Sequence, residues 1–253
     1  MSMFLYLDKD TPLHRLNPVT RILGLLLLFI LSLYWSNPLY LLCLLIFALL
    51  LVHIGRAWVN LRKMLYFLLL LAVFSTILWS FFYKGERVLF KIGVFSVTRE
   101  SLLYGLGMGI RLDFLLISGL IFISCTKVEE FTLALKRMGL PYPVCFSLSL
   151  AFRLVPLFYG AASTILQAQK SRGLDLESGN LLQRIKKYIP LLTPIFLYAV
   201  RNVDQLAVAL ESKGFGTRKE RSYYLKFTTG CGDYLALTLL GLSNLACIYF
   251  KLR

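Results

Sequence analysis

The stretch MLYFLLLLAVFSTILWSFF, Met64–Phe82, contains nineteen residues and no charged side chain. An α-helix needs a run of about twenty apolar residues to cross a bilayer. Trp79 near its end and Tyr83 just after it lie where aromatic side chains prefer a membrane–water interface. The stretch therefore predicts a transmembrane helix, and the fold class depends on how many such stretches the chain contains.

The composition of the whole chain agrees with that prediction. Of its 253 residues, 58% are hydrophobic and 16% are charged, and the mean hydropathy is +0.70. Soluble domains carry about a quarter of charged residues. The first twenty residues are charged and lack a small-residue cleavage site, so we expect no removable signal peptide. The sequence predicts an integral membrane protein.

Four further stretches resemble the first. The predicted spans are Ile22–Trp35, Leu39–Ile54, Met64–Phe82, Ser101–Cys125 and Cys231–Phe250. The predicted fold class is an all-helical, polytopic membrane protein with about five transmembrane helices and a cytoplasmic helical module. The expected domains are 1–125 with four spans, 126–230 as the cytoplasmic or interfacial module, and 231–253 as the last span.

The distribution of charge sets the expected topology. The formal net charge is +15, and Thr126–Gly230 holds fifteen of the 28 Lys and Arg residues. Basic loops of membrane proteins face the cytoplasm, so this region and the N-terminus are predicted inside. Residues Lys84–Glu100 then lie outside although they carry four basic side chains, which is an exception to the rule.

The basic region contains several helix signals. Thr126–Glu129 has the pattern of a capping box opening a short helix, which Gly139 and Pro141 would end. A long apolar helix is predicted over Pro143–Arg172, with a kink at Pro156. Two further segments are predicted on either side of a proline, Leu181–Ile189 and Pro190–Lys213.

Two of these helices end in the same way. Gln167–Gly173, QAQKSRG, and Ala209–Gly214, ALESKG, share Ala-x-x-Ser-(Arg/Lys)-Gly. A cation in the last turn favours the helix dipole, and a glycine just beyond it caps the helix. The repeat of a small serine and a cation in one cytoplasmic region also fits a slim plug for a groove on another protein. Helix capping and docking both remain open at this point.

Several motifs together resemble a known family, the transmembrane T components of energy-coupling factor (ECF) transporters, which includes cobalt-transport permeases. The sequences TKVEEF and LKRMGLP are similar to the family stretch T-x-x-E-E-L…A-L-x-x-L-G-L-P. The matching stretches, in family order, are His14–Arg21, Thr126–Phe131, Leu135–Pro141, Ser149–Leu157, Gln167–Gly173 and Ala209–Gly216. The resemblance covers nearly the whole chain and is most specific over Thr126–Gly216.

The resemblance implies a role. A T component joins two cytoplasmic ATP-binding-cassette (ABC) ATPases to a membrane-embedded S component that captures a vitamin or a metal ion. The implied protein is a non-catalytic scaffold in a prokaryotic cell membrane, and residues 126–230 are its coupling-helix module. The implied partners are the two ATPases, the S component and the lipid bilayer. No cofactor, metal or nucleic acid is expected, and the S component chooses the substrate.

The family also implies the docking residues. Its two coupling helices each end in Ala-Arg-Gly and dock in grooves on the two ATPases. The corresponding positions are Ser171, Arg172 and Gly173, and Ser212, Lys213 and Gly214. Serines thus replace both alanines, and Lys213 replaces the second arginine and lacks its planar fork of donors. Asn17 stands where the family more often has Asp.

An enzyme is the first alternative, but the sequence shows no set of residues in a known catalytic pattern. His14 and His53 lie far apart, the five cysteines show no C-x-x-C spacing, and no G-x-x-x-x-G-K-(S/T) loop occurs. Gly105, Gly107 and Gly109 lie inside an apolar span, so they predict close helix packing rather than a phosphate-binding loop.

A self-sufficient transporter or channel is the second alternative. Such a protein places polar residues through its spans and breaks helices at the midplane. Arg111 and Asp113, in the fourth predicted span, are the intramembrane charges here. Residues two apart do not face each other on a helix. A structural contact and a functional role remain equally open for these two residues.

Overall fold

The structure is a computed structural model that describes residues 6–82, 88–92, 95–175, 178, 180–216 and 229–252. The helices in these residues are α1 (Pro12–Arg15), α2 (Pro18–Leu33), α3 (Pro38–Ile54), α4 (Trp58–Phe82), α5 (Arg99–Cys125), α6 (Val128–Arg137), α7 (Tyr142–Ser171), α8 (Leu181–Ser212) and α9 (Cys231–Leu252). The predicted all-helical class is confirmed, with one addition. Strands β1 (Val88–Ile92) and β2 (Phe95–Thr98) pair antiparallel in the loop between α4 and α5.

The lengths of the helices refine the predicted spans. Within the described residues, α4, α5, α7 and α9 are long and apolar enough to cross a bilayer. Three of them match predicted spans, whereas α7 belongs to the region predicted at the cytoplasmic boundary, and that placement stays a prediction. The other two predicted spans are the shorter helices α2 and α3, of 16 and 17 residues. At 1.5 Å per residue these are about 24–26 Å long, less than the ~30 Å hydrocarbon core.

The two short helices begin in the same way. The side chain of Asn17 accepts a hydrogen bond from the Val19 amide, and that of Asn37 accepts one from the Leu39 amide, both at 3.1 Å. A proline follows each asparagine at the first helical position, where its missing N–H costs nothing. Since Asp caps a helix as well as Asn does, Asn17 fits a position where the family more often has Asp.

The predicted capping box at Thr126 is wrong. Thr126 has extended backbone angles (φ −120°, ψ 122°) just after α5, and α6 begins one residue later than a cap at Thr126 requires. The N-cap of α6 is Lys127, whose side chain makes no capping hydrogen bond. Tertiary contacts decide this junction, because the side chain of Arg21 holds both the Cys125 carbonyl and the Glu130 carboxylate.

The predicted break at Pro190 is also wrong. The helix α8 runs without interruption through Pro190 and Pro194. Each proline removes one backbone hydrogen bond and disfavours the helix by about 3 kcal/mol, so local sequence favours a break. A helix can bend at a proline and continue beyond it. Leu191, between the two prolines, is buried.

The chain divides into two compact units, Met1–Leu140 with Phe227–Arg253, and Pro141–Lys226. The first unit therefore includes α6, which the sequence-based boundary at residue 126 groups with the coupling module. The second unit contains α7 and α8. The functional boundary stays a prediction, since compactness alone does not define a functional part.

The three glycines of α5 pack closely against neighbouring backbone, as predicted. A Cβ atom at Gly105 would lie 2.8 Å from the Thr76 carbonyl oxygen, and one at Gly109 would lie 3.0 Å from that of Ala72. Both neighbours belong to α4. A Cβ atom at Gly107 would lie 2.9 Å from the Ser36 carbonyl oxygen, in the turn between α2 and α3. Any side chain at these positions would separate the helices.

Arg111 contacts the same turn. Its Nη2 donates to the Trp35 carbonyl oxygen at 2.7 Å and lies 3.4 Å from Ser36 Oγ. A turn at the end of two short helices lies close to the hydrocarbon core, where an unpaired carbonyl is costly. Arg111 thus has a structural contact within the chain. Asp113 does not share it, and its Oδ1 is buried without a partner among the described residues.

Helix ends from distant parts of the chain meet at one side of the first unit. The Asn17 amide donates to Asp233 Oδ1 at 2.7 Å, which joins the starts of α2 and α9. Asn60 Nδ2 donates to Ser124 Oγ at 2.8 Å, which joins the start of α4 to the end of α5. The topology predicted from basic residues makes this the cytoplasmic side.

Candidate functional site at two helix tips

The tip of α7 is formed by Ser171, Arg172 and Gly173. Gly173 has a positive φ of +89°. Its amide donates to the Lys170 carbonyl at 3.0 Å, and the Leu174 amide donates to the Gln169 carbonyl at 3.0 Å. These two bonds form a Schellman motif, which pairs carbonyl groups that the end of a helix would otherwise leave unpaired.

The tip of α8 has the same geometry. Gly214 has a φ of +71°. Its amide donates to the Glu211 carbonyl at 2.8 Å, and the Phe215 amide donates to the Leu210 carbonyl at 2.9 Å. The two sequence repeats therefore fold into one backbone motif, in which the cation occupies the last position before the glycine.

The end of a third helix, α6, shows which residues of the tips the cap needs. The helix α6 ends at Arg137, and Gly139, two residues later, has a φ of +106°. The Gly139 amide donates to Lys136 and the Leu140 amide to Leu135, as in a Schellman motif. The residue before this glycine is Met138, an uncharged residue. The last turn of α6 does contain Lys136 and Arg137, so the comparison shows that the cap requires neither a serine nor a cation directly before the glycine.

Both tip serines bond to their own helix. Ser171 Oγ donates to the Gln167 carbonyl at 3.1 Å, and Ser212 Oγ donates to the Ala209 carbonyl at 3.0 Å. A hydroxyl satisfied in this way leaves the surface of the tip small. The replacement of the family's alanines by serines is therefore a mild change in shape.

The tip cations are exposed to solvent. Arg172 and Lys213 are both exposed, and no side-chain hydrogen bond or ion pair joins either to another described residue. Their neighbours differ in charge. Lys170 adds a second cation to the last turn of α7, whereas Glu211 offsets Lys213 in the last turn of α8. The tip of α7 is the more cationic of the two.

The two tips lie far apart because α7 and α8 pack in opposite directions. Phe158 and Tyr198, near the middle of each helix, meet edge to face with centroids 6.3 Å apart. Phe215, just beyond α8, lies 4.4 Å from Phe146 near the start of α7. Ser171 is 25 residues along α7 from Phe146, which corresponds to roughly 37 Å of helix. The arrangement presents two separate cationic tips.

Part of this site was predictable and part was not. The sequence alone predicted the two helix ends, their glycines and the exposed cations. It did not predict the distance between the tips or the single continuous helix leading to the second one. The two repeats differ at the position directly before the serine, which is Lys170 in the first and Glu211 in the second. This difference already indicated that the two tips carry unequal charge, and the sequence-based interpretation did not use it.

Comparison with known proteins adds independent information. A family model described as "Cobalt transport protein" matches residues 9–224. The energy-coupling factor transporter transmembrane protein EcfT of Streptococcus thermophilus is 30% identical over 261 residues, covering 97% of each chain. EcfT of Staphylococcus aureus is 29% identical, covering 98% of this chain and 95% of the relative. EcfT of Bacillus subtilis is 28% identical, covering 98% and 96%.

Proposed function

The chain belongs to the cobalt transport protein family, as the transmembrane component of an energy-coupling factor transporter, and we propose that it couples two ABC ATPases to an S component. In this proposal the ATPases hydrolyse ATP and the S component captures a vitamin or a metal ion. The chain itself is a non-catalytic scaffold in the cell membrane of a bacterium.

The observation that carries the proposal is the pair of matching tips. Each presents an exposed cation next to a small, internally bonded serine on a rigid Schellman cap. A cation held in this way can enter a groove and pair with a carboxylate there. Two tips roughly 37 Å apart along α7 support one contact on each of two ATPases.

A second surface supports the proposed contact with the S component. One face of α8 carries apolar side chains that are at least half exposed, spaced three, four or seven residues apart: Ile185, Ile189, Leu192, Phe196 and Val203. Tyr198, which packs on Phe158 of α7, points to the opposite side of the helix. This stripe is free to pack against apolar helices of a membrane partner.

The first test is copurification. We expect the chain to copurify in mild detergent with two ABC ATPase subunits, and to hydrolyse no ATP after they are removed. The complex should hydrolyse ATP, and its rate should fall when the chain is omitted from reconstitution. ATP turnover by the purified chain alone would contradict the proposal.

The second test uses the tip glycines. Valine at Gly173 or Gly214 should weaken ATPase pull-down, because a β-branched side chain in a left-handed cap costs about 1–3 kcal/mol and distorts the tip without removing charge. Gly160 in the same helix α7 is the matched control, since a Cβ atom there meets nothing within 4 Å and the residue lacks a positive φ. Pull-down that Gly173→Val and Gly160→Val change equally would argue against docking at the tip.

A further inference from the structure

An apolar crevice lies among the membrane helices of the first unit. Its volume is about 180 Å³, and residues of α1, α2, α3, α5 and α9 line it. The lining is apolar apart from Thr20, Arg21, Ser118 and Cys125. Gly24 of α2 lines it opposite Leu240 of α9, where a Cβ atom at Gly24 would make ordinary van der Waals contact with a Leu240 methyl carbon at 3.6 Å.

The lining residues all lie toward one side of the membrane. They come from the first two-thirds of α2, the first half of α9, the second half of α3 and the last part of α5. These are the helix ends that the Asn17–Asp233 and Arg21–Cys125 hydrogen bonds bring together. The predicted topology makes this the cytoplasmic half. From Thr20 to Leu28 the crevice extends about 12 Å along α2.

The two ends of the crevice differ in polarity. Arg21 lines the end near α1, and its side chain is only 8% exposed. Its Nη atoms are engaged by His14, Cys125 and Glu130, but its buried Nε has no hydrogen-bond partner among the described residues. A buried donor without an acceptor is costly. The other end, near Leu28 and Phe47, is apolar except for Ser118, whose hydroxyl donates to the Phe114 carbonyl of its own helix.

We propose that this crevice binds one acyl chain of a phospholipid from the cytoplasmic leaflet. A cavity of about 150 Å³ lined by apolar side chains can bind a molecule the size of benzene, so this one holds a segment of a hydrocarbon chain. An acyl chain has oxygen acceptors at its ester end only. The ester end therefore lies toward Arg21, and the middle of the chain lies toward Leu28 and Phe47.

The test is photocrosslinking in lipid nanodiscs. Two phosphatidylethanolamine probes carry a diazirine either next to the ester or at mid-chain, and mass spectrometry maps the crosslinks. The near-ester probe should label α2 around Thr20, and the mid-chain probe should label Leu28 and Phe47. The reverse order, or equal labelling by both probes, would overturn the proposed orientation.

A matched pair of variants tests the crevice itself. Ala236→Phe places a ring in the crevice, whereas Leu235→Phe, one residue earlier on α9, points to lipid at a position that is 67% exposed. We expect a several-fold loss of crevice labelling in the first variant and none in the second, relative to labelling of the exposed face of α4. Equal labelling in both variants would refute the site. The readout needs no ATPase, so its failure leaves the proposed function untouched.

Discussion

Arg172→Ala is expected to abolish substrate uptake and to weaken ATPase binding, and Lys213→Ala is expected to do less. A charge-assisted contact that is partly shielded from water costs about 2–5 kcal/mol when one partner is truncated. Arginine can hold a carboxylate with two parallel hydrogen bonds, whereas lysine offers one rotatable ammonium group. The charges of Lys170 and Glu211 favour the same ranking, because the first adds to the field at its tip and the second reduces it.

The measurement is pull-down of the ATPases together with uptake in cells. Lys213→Arg should be tolerated, since it restores the family's residue at an exposed tip. Lys170→Ala removes one charge from the same turn as Arg172 but leaves the tip intact. This control therefore tests whether ATPase binding depends on the cation at the tip itself or on the net charge of the last turn. If Arg172→Ala kept full binding and full uptake, helix capping would be all that the motif does.

Glu130→Ala is expected to destabilise the membrane unit strongly. Glu130 Oε2 lies 2.9 Å from Arg21 Nη1, and the two side chains are 20% and 8% exposed. Removing one partner of a buried ion pair leaves an uncompensated charge and costs about 3–5 kcal/mol. For a chain of this size that corresponds to roughly 6–20 °C in the unfolding midpoint. The midpoint can be measured in detergent by thermal unfolding.

A surface pair on the same side of the molecule provides the control. Asp8 lies 3.6 Å from Lys127, but these side chains are 87% and 44% exposed. Exposed pairs contribute about 1 kcal/mol or less, so Asp8→Ala should shift the midpoint little. A shift for Glu130→Ala no larger than that for Asp8→Ala would show that the Arg21 contact does not hold α6 in place.

Local sequence predicted most of the helices and the shape of the tips. A run of twenty apolar residues has few alternatives to a membrane helix, because every backbone polar group must be paired there. A glycine just beyond the last turn of a helix predicts a left-handed cap, because other residues adopt positive φ only at a cost. Gly139, Gly173 and Gly214 all have that conformation. The close helix packing at Gly105 and Gly109 was also predicted from the sequence, because glycine has no side chain to keep two backbones apart.

Tertiary structure decided what local patterns leave open. Arg21 meets Glu130 across 109 positions of sequence, and Arg111 meets Trp35 across 76. The spacing of charges along one helix does not say which other helix lies beside it. The helix α8 likewise continues through Pro190 and Pro194, where local preference favours a break.

The sequence by itself thus determined the membrane class, the positions of most helices and the two cationic tips, because these depend on solvation and backbone sterics within a few residues. Only the tertiary structure decided that α7 and α8 pack in opposite directions and separate the tips, that buried ion pairing fixes α6, and that a crevice opens among α2, α5 and α9. Those features depend on which helix faces lie together, and the free energies of such contacts add up over the whole fold.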